Sequence, residues 1–361
     1  MITKKKIVVA MSGGVDSSTV AAMLKEEGHE VIGITLQLYD YGAILQKKGA
    51  CCAGQDIYDA QIVAEKISIP HYVLNYESLF KQAVMDDFAD GYLRGETPIP
   101  CVRCNQKVKF LDLFKAAKDL GADALATGHY VRRTEHLGKA YMLKAVDHHK
   151  DQSYFLFATT QEQLNYLRFP LGSMNKNQTR ELAKKFDIPI YDKPDSQDIC
   201  FVPNGNYAAV VEKLRPGALD PGEIFHKNGT ILGRHEGIIN FTIGQRRGIG
   251  LASPNPLYVI GIDPDKKQVI VGEHSDLASD EVHIKELNWL GEELSIGQKF
   301  TVKLRSAHKG SAASLINYNG SDATLKLDEP YFGITPGQAC VIYDGDRMLG
   351  GGWIIRNKKG V

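Results

Sequence analysis

The 361-residue sequence has no net charge, since Lys plus Arg and Asp plus Glu both total 43. No overall positive field therefore attracts nucleic acid, and any RNA binding must come from local patches. The sequence also lacks an apolar run long enough to span a bilayer, and residues 1–6 lead into a strand-like segment without an apolar signal core. We therefore expect a cytoplasmic protein with no membrane partner.

Cysteine is scarce, with six residues in the whole chain. This number excludes a small fold stapled by disulfides, and in a reducing compartment such cysteines are more often reactive, metal-binding or buried. The length corresponds to two or three domains, each able to bury a core. A hydrophobic content of 43% and a charged content of 24% are ordinary for a soluble globular enzyme.

The first 130 residues alternate short β-branched runs with amphipathic helical stretches. The strand-like runs are 6–10, 31–35, 71–74 and 122–127, and the helical stretches between them include 17–27, 56–67 and 110–120. Regular alternation requires crossover connections and predicts an α/β fold with a doubly wound parallel sheet. We assign this domain to residues 1–205, with a helical appendage at about 161–205.

The later sequence has a periodicity of two, interrupted by Gly, Pro and turn dipeptides such as Asn228-Gly229 and Asp344-Gly345. This pattern is typical of hairpins in small antiparallel sheets or barrels. It predicts a central β-rich domain over 206–273 and a C-terminal β-barrel over 274–361. Cys340 falls at a core position of this barrel.

The strongest chemical signal is the segment Ala10–Ser18, which joins the first strand to the first helix and is rich in Gly and Ser. Two glycines permit a tight turn, the hydroxyls of Ser12 and Ser17 can donate to oxygens, and the helix N-terminus directs N–H groups at an anion. No Lys follows the glycines, so the segment is not a Walker loop. An ordinary Gly-rich turn is the alternative; we predict a phosphate-binding loop.

Two cysteines, Cys101 and Cys104, lie where a loop enters a predicted helix, and Cys200 follows an acidic, turn-rich segment. The helix dipole and the neighbouring Arg103 and Lys107 predict increased thiolate character and therefore a reactive thiol. The alternatives are buried cysteines or half of a zinc site, although the sequence has no second CxxC pair to complete one.

Six motifs follow one another in an order that resembles a single family. They are SGGVDSS (12–18), PCVRCNQKVKF (100–110), ATGHY (126–130), KDQSYF (150–155), DSQDICF (195–201) and FTIGQRRGIG (241–250). The first resembles the signature of the PP-loop ATP pyrophosphatases, which adenylate a carbonyl oxygen. Together the motifs, spread over about 250 residues, resemble the tRNA-specific 2-thiouridylases, and the β-rich remainder fits that family's three-part layout.

The resemblance implies two sets of ligand-binding residues. ATP, with Mg²⁺ expected, would contact the loop and two further positions: Ala10, Met11, Ser12, Gly13, Gly14, Val15, Asp16, Ser17, Leu36 and Gly128. The tRNA would contact His129, Lys150, Asp151, Gln152 and Gln338. Basic residues suggest further RNA contacts at the 242–250 turn, which is as easily a solvated turn, and at Arg305 with its neighbours Lys303, His308 and Lys309.

The chemistry implied is replacement of the C2 oxygen of the wobble uridine of Lys, Glu and Gln tRNAs by sulfur, giving 2-thiouridine, AMP and pyrophosphate. Oxide is a poor leaving group, so the oxygen is first adenylated, and the uridine must leave its stack. Cys200 would carry a persulfide delivered by a sulfur-relay protein or cysteine desulfurase. Cys104 would be the second nucleophile, forming a disulfide with Cys200 during turnover.

One position departs from the family: Cys101 stands where many members have Asp. Three cysteines, Cys101, Cys104 and Cys200, could instead hold an iron–sulfur cluster. Cys51 and Cys52 are taken as incidental. Two other functions stay open, a small-molecule ligase with the same loop and a non-catalytic adenine-nucleotide sensor. We assign no protein metal site.

Overall fold

The computed structural model describes residues 3–39, 52–195, 198–202 and 205–356. The prediction for Cys51, and that for the side chain of Cys52, fall outside the described part of the chain. The chain divides into two compact units. The first comprises Met1–Val84, Cys101–Phe201 and Asp346–Met348, and the second comprises Met85–Pro100, Val202–Gly345 and Leu349–Val361.

The first unit is built on a five-stranded parallel sheet. In spatial order its strands are β3 (His71–Asn75), β2 (Glu30–Gln37), β1 (Lys6–Ala10), β4 (Ala124–Ala126) and β7 (Leu167–Arg168). Every neighbouring pair is parallel, and Val8 and Val9 of the central strand have no exposed surface. A parallel strand buried on both faces reads as a continuous apolar run. The predicted parallel sheet is confirmed.

Helices flank this sheet in the order expected of crossover connections. The α-helices of the unit are α1 (Val15–Glu26), α2 (Cys52–Lys66), α3 (Glu77–Phe80), α5 (Pro100–Cys104), α6 (Phe114–Asp119), α7 (Gln161–Tyr166) and α8 (Lys176–Lys185). Short 3₁₀ turns lie at Ser153–Leu156 and Pro170–Ser173. Apolar side chains of the sheet and of α1 and α2 share one core, which includes Val9, Val20 and Val63.

Three features of the first unit differ from the sequence prediction. The helix expected over 110–120 begins earlier, because α5 continues into a π-helical stretch, Asn105–Leu113, before α6. A second π-helical stretch lies at Lys81–Met85. An antiparallel hairpin, β5 (Val131–His136) and β6 (Lys139–Lys144), follows β4. Local sequence does not reveal π-helical turns, which are often found at functional sites.

The second unit contains a four-stranded sheet and two helices. The strands lie in the order β10 (Tyr258–Asp263), β11 (Gln268–Gly272), β8 (Gly222–His226) and β9 (Ile231–His235). The helices are α4 (Asp86–Leu93) and α9 (Tyr207–Leu214), with 3₁₀ turns at Ile238–Asn240 and His274–Leu277. Arg215 joins the helical part by donating to Asp86 and Asp90 at 2.8 Å each.

The remaining strands of the second unit form a closed barrel. They are β12 (Ala278–Trp289), β13 (Lys299–Lys303), β14 (Ser311–Tyr318), β15 (Ala323–Phe332), β16 (Ala339–Asp344) and β17 (Arg347–Ile354), and β12 pairs with both β15 and β17. Within the first unit, Arg347 and Met348 of β17 pair with β6. Cys340 is fully buried in the barrel core. The predicted C-terminal barrel is confirmed. Among the described residues, no helix is long and apolar enough to cross a membrane.

Helix α8 begins with a reciprocal cap that provides a test of this fold. Asn175 Oδ1 accepts from the backbone N–H of Gln178 at 2.9 Å, and Gln178 Oε1 accepts from the N–H of Asn175 at 2.9 Å. Asn175→Ala should lower the free energy of unfolding by about 1 kcal/mol because it removes the cap. Asn175→Asp, which keeps the acceptor, is the control. Urea unfolding should separate the two variants; an equal loss in both would contradict the cap.

Candidate active site at the carboxyl edge of the sheet

The loop between β1 and α1 has the geometry of an anion site. Gly13 has φ of +72°, and a Cβ there would lie 2.0 Å from the carbonyl oxygen of Asp56, so only glycine fits. Ser12 N–H donates to Ser17 Oγ at 3.1 Å, and the two hydroxyl oxygens are 3.2 Å apart. Gly14 has no side chain to cap α1, which leaves the first N–H groups of this helix directed at a ligand.

The loop lies at the point where the sheet reverses its strand order. β1 pairs with β2 on one side and with β4 on the other, and such switch points bind ligands at the carboxyl ends of the strands. Gly128 follows β4, and a Cβ there would lie 2.8 Å from the backbone nitrogen of Ser17. Leu36 is near the end of β2. The structure thus brings the predicted phosphate loop and Gly128 together, with Leu36 on the adjacent strand.

A chain of ion pairs begins at this loop; we call it the Asp16–Lys150 chain. Lys176 Nζ lies 2.7 Å from Asp16 Oδ1 and 2.7 Å from Asp195 Oδ1, and Lys150 Nζ lies 2.7 Å from Asp195 Oδ2. Tyr130 Oη donates to Asp16 Oδ1 at 2.8 Å. Burial alone would raise the pKa of Asp195, but the hydrogen bonds from Lys150 and Lys176 outweigh burial and the pKa is lowered. Asp195 is therefore ionised at neutral pH.

A second lysine, Lys193, stabilises the loop. Lys193 Nζ donates to the carbonyl oxygen of Gly13 at 2.9 Å and to Asp56 Oδ1 at 2.7 Å, and it also pairs with Asp59. Burial opposes the charge, but these carboxylates raise the pKa of Lys193 overall. The ammonium thus fixes the backbone turn that Gly13 makes.

The three cysteines named above lie in the first unit, and each is a thiol rather than half of a disulfide. Cys104 is buried, whereas Cys101 and Cys200 are exposed to solvent. Although part of Cys200 is exposed, desolvation of its thiol, with the nearby Cys104 and Cys101, raises its pKa to about 12. The positive charge of Lys109 lowers the pKa of each of the three thiols, but only in part.

The prediction of increased thiolate character at the helix start is therefore wrong. Burial raises the pKa of Cys101 and of Cys104, and Arg103, expected to stabilise a thiolate, instead donates to Gln106 Oε1 at 3.0 Å. The desolvation penalty exceeds the attraction of the nearby cation.

Aromatic packing anchors the position of Cys200. Phe201 is 1% exposed, and its ring meets the edge of Phe80 with centroids 5.7 Å apart. Phe80 contacts Tyr39 at 5.8 Å between centroids, and the Tyr39 side chain forms a hydrogen bond with Cys200 that lowers the pKa of the thiol in part. The buried ring of Phe201 thus restrains the position of Cys200, the residue before it.

The donors present do not form a ready metal site. Within residues 3–39, 52–195, 198–202 and 205–356, no three or more His, Cys, Asp or Glu side chains are arranged to hold a metal ion. Cys101, Cys104 and Cys200 are not part of such a group.

His129 occupies an aromatic niche beside the loop. Its ring meets Phe110 at 5.9 Å and Phe169 at 6.5 Å, and Nδ1 lies 2.9 Å from Thr127 Oγ1. Burial, with Lys109 nearby, lowers the pKa of His129 to about 3. The imidazole is therefore neutral at physiological pH, and its contact with RNA would be a hydrogen bond or stacking rather than a charge.

The side chains of the two residues that follow Lys150 form hydrogen bonds within the protein. Asp151 accepts from the N–H of Ala145 at 3.0 Å and from Ser153 Oγ at 2.8 Å. Gln152 Oε1 accepts from the N–H of Tyr130 at 2.9 Å. These bonds hold the segment in place, which leaves Lys150, 38% exposed, as its most accessible charged side chain.

The predicted RNA-binding residues Arg305 and Gln338 lie in the second unit. Both line a cavity of about 560 Å³. Gln338 Nε2 donates to the carbonyl oxygen of Thr97 at 2.8 Å, and the Arg305 guanidinium lies 5.9 Å from the Tyr331 ring. The aromatic and imidazole members of the lining are Tyr258, His274, Tyr331 and Phe332.

Comparison with known proteins decides the family. Three family models match the chain: a tRNA methyl transferase HUP domain over 5–204, a tRNA methyl transferase PRC-barrel domain over 210–273 and an aminomethyltransferase beta-barrel domain over 279–354. A tRNA-specific 2-thiouridylase from Rhodospirillum centenum is 58% identical over 359 residues, covering 97% of this chain and 92% of the relative. The chain belongs to the tRNA-specific 2-thiouridylase family.

Another 2-thiouridylase, from Rickettsia massiliae, is also 58% identical, over 97% of this chain and 96% of its own length. A solved 4-thiouridine synthetase in complex with RNA and ATP matches at 17% identity, with a TM-score of 0.34, over 58% of this chain and 53% of its own. That likeness is too low to add to the assignment. The 2-thiouridylase family predicted from the motifs is thus confirmed.

Sequence reasoning missed three residues of the site: Lys176, Lys193 and Tyr130. One signal was available for Lys176. A lysine in the first turn of a helix opposes the helix dipole, and Lys176 is the first residue of α8. Such a placement indicates a partner elsewhere, which the structure identifies as Asp16 and Asp195.

The Gly13 turn gives a direct test of the phosphate loop. Gly13→Ala should weaken binding of an ATP analogue at least about tenfold, because the new Cβ would collide with the Asp56 carbonyl oxygen. Gly28→Ala is the matched control, since Gly28 also has positive φ, +87°, but has nothing within 4 Å of the added Cβ. Calorimetric titration should separate the two variants. Equal binding by both would contradict the assignment of the loop.

The raised pKa of Cys200 predicts an unusual pH profile. Since this pKa is raised from 9.0 to about 12, alkylation of Cys200 by iodoacetamide should rise about tenfold per pH unit, without a plateau below about pH 10. A synthetic peptide containing the 195–201 sequence is the control and should level off near the ordinary thiol pKa. Peptide mass spectrometry measures both rates. A plateau near neutral pH would show that Cys200 is a thiolate.

Proposed function

We propose that the chain is a tRNA-uridine 2-sulfurtransferase that uses ATP to form 2-thiouridine at the wobble position of Lys, Glu and Gln tRNAs. The observation that carries the proposal is that one unit contains both a glycine-rich loop at the switch point of the sheet and the pair Cys104 and Cys200. The Cys104 sulfur is close enough to Cys200 to contribute to its raised pKa. Membership in the 2-thiouridylase family supports the substrate.

In the first step, the loop binds the triphosphate. The Ser12 and Ser17 hydroxyls and the free N–H groups of α1 face the phosphates, and Gly128 and Leu36 flank the nucleoside. Mg²⁺ would accompany ATP as part of the substrate, and Asp16 is the carboxylate of the loop that could hold it. The C2 oxygen of uridine attacks the α-phosphorus, pyrophosphate leaves, and the oxygen becomes part of a good leaving group.

In the second step, Cys200 supplies sulfur. The terminal sulfur of a Cys200 persulfide attacks C2, the C2–O bond breaks and AMP leaves with the oxygen. The Cys104 thiolate then attacks Sγ of Cys200, forming a Cys104–Cys200 disulfide and releasing 2-thiouridine. An external thiol reduces the disulfide, and a protein persulfide donor reloads Cys200.

The environment of the thiols suits this order of events. With its pKa raised to about 12, Cys200 is protonated at rest and reacts slowly with oxidants. Lys109, close to all three cysteines, stabilises whichever sulfur becomes anionic during turnover. We assign tRNA contacts to Lys150 and neutral His129 in the first unit, and to Arg305 and Gln338 in the second.

The decisive test is single-turnover thiolation of an unmodified Glu-tRNA transcript by anaerobically purified protein with ATP and a persulfide donor. The donor transfers its outer sulfur to the Cys200 thiolate and leaves as a thiol. Cys200→Ser and Cys104→Ser should each abolish thiolation, because each removes a covalent step. Cys101→Ser, an exposed cysteine of the same cluster, is the matched control and should retain thiolation.

The iron content of each protein is measured alongside. Thiolation that tracks bound iron and fails equally in all three variants would replace the persulfide scheme with a cluster. Failure of the unmodified protein to thiolate any tRNA, with ATP turnover on a small molecule instead, would overturn the proposal in favour of a ligase.

A further inference from the structure

Two of the three cysteines in the first unit lie in the same short helix. Cys101 and Cys104 are three positions apart in α5, and helical geometry places their Cα atoms about 5 Å from each other. A disulfide can bridge Cα atoms at this separation. Cys101 is exposed to solvent, whereas Cys104 is 7% exposed. The helix therefore contains one accessible and one covered cysteine at a spacing that permits a disulfide between them.

Both cysteines of α5 act electrostatically on Cys200. Burial is the main cause of the raised pKa of each thiol, and neighbouring groups add to it. Cys104 and Cys101 both add to the pKa of Cys200, and the carboxylate of Asp198 adds to the pKa of Cys101. Interactions of this kind weaken with distance. Cys101 therefore lies near the pair that we assign to sulfur transfer.

We propose that Cys101 is a third catalytic cysteine, which moves the disulfide from the Cys104–Cys200 pair to the Cys101–Cys104 pair after each sulfur transfer. This inference rests on the proposed function, because that scheme produces the Cys104–Cys200 disulfide. The Cys101 thiol loses its proton to solvent, and the thiolate attacks Sγ of Cys104. The Cys104–Cys200 bond breaks, and Cys200 leaves as a thiolate. No electrons enter or leave the protein in this exchange.

The burial of Cys104 is the reason for a second thiol within the protein. An external thiol that attacks the exposed Cys200 expels Cys104 and leaves Cys200 in a mixed disulfide, so the sulfur that must be reloaded stays blocked. Attack on Cys104 releases Cys200 directly, but protein atoms cover Cys104. Cys101, about one helical turn away in α5, is placed for that attack.

The exchange also changes the electrostatic surroundings of Cys200. Once Cys101 and Cys104 share a disulfide, neither sulfur can carry a negative charge. Burial still raises the pKa of Cys200, but the contributions of the two thiols disappear, while Lys109 continues to lower this pKa. Cys200 therefore ionises more readily after the exchange, and a thiolate is the form that attacks a persulfide donor.

An external dithiol completes the cycle at the other end of the cluster. One thiolate of the dithiol attacks the exposed Cys101, and Cys104 leaves as a thiolate. The second thiolate attacks the reductant's own sulfur in this mixed disulfide, which releases Cys101 and oxidises the dithiol by two electrons. Reloading at Cys200 and reduction at Cys101 thus take place at different sulfurs.

The test maps the disulfide in the full chain during one turnover. Cys200 is loaded anaerobically with persulfide, the donor is removed, and ATP with an unmodified Glu-tRNA transcript starts the reaction without external reductant. Samples are quenched with acid, alkylated and digested with trypsin, which separates the two cysteines of α5 by cleaving after Arg103. Mass spectrometry should detect the Cys104–Cys200 disulfide first. The Cys101–Cys104 disulfide should then exceed it about tenfold.

A second portion of persulfide donor, added without reductant, reports whether Cys200 has become a thiol again. The unmodified protein should gain a persulfide on Cys200, and Cys101→Ser should gain about tenfold less. Cys101→Asp is the matched control, because it keeps an ionisable group at this exposed position but has no sulfur. It should fail as Cys101→Ser does. Both variants should complete the first turnover, since the exchange follows it.

Another arm of the test needs no tRNA. The reduced protein is oxidised with one equivalent of diamide, which takes up two electrons and two protons, and the disulfide is mapped in the same way. The unmodified protein should contain the Cys101–Cys104 disulfide, with Cys200 recovered as a thiol. In Cys101→Ser the disulfide should be found at Cys104–Cys200.

Two results would overturn the inference. One is a disulfide that stays at Cys104–Cys200 in the unmodified protein, and the other is acceptance of a second sulfur by Cys101→Asp, since a charge rather than a sulfur would then be needed at this position. A protein that thiolates no tRNA but forms the Cys101–Cys104 disulfide with diamide would refute the proposed function and leave the exchange intact. A protein that thiolates tRNA while its disulfide stays at Cys104–Cys200 would do the reverse.

Discussion

The active edge of the sheet depends on how closely the β1–α1 backbone lies to its neighbours. Added Cβ atoms at Gly13 and Gly128 would lie 2.0 Å and 2.8 Å from neighbouring backbone atoms, so no larger residue permits this approach. The close contact brings the first turn of α1 to the end of β4. Asp16 can then bond both Tyr130 and Lys176, and the Asp16–Lys150 chain begins there.

Much of this arrangement was predictable because its causes are local. Strand alternation predicts the parallel sheet, and the glycines and hydroxyls of residues 12–17 predict an anion site. The thiol pKa values were not predictable, because desolvation depends on atoms brought together by tertiary folding; Arg103 is adjacent in sequence to Cys104 but bonds Gln106. The partners of Lys176 were missed for a similar reason, being 160 and 19 positions away in the sequence.

Burial keeps both the thiols and the imidazole of the site in their uncharged forms. Burial raises the pKa of Cys200 to about 12 and lowers that of His129 to about 3, so both groups are neutral at rest. The formal charges nearby belong instead to paired lysines and aspartates. Such a site places its paired charges beside the loop where phosphates would bind, whereas the thiols stay uncharged at rest with Lys109 nearby.

The π-helical stretch Asn105–Leu113 follows Cys104 and contains Lys109, the cation that lowers the pKa of all three thiols in part. A π-helix has more residues per turn than the 3.6 of an α-helix, so each residue along it turns less about the axis. The position of Lys109 relative to Cys104 therefore depends on the helix type as well as on their spacing in the sequence. Losing one residue between them would move the cation relative to the sulfurs without altering any cysteine.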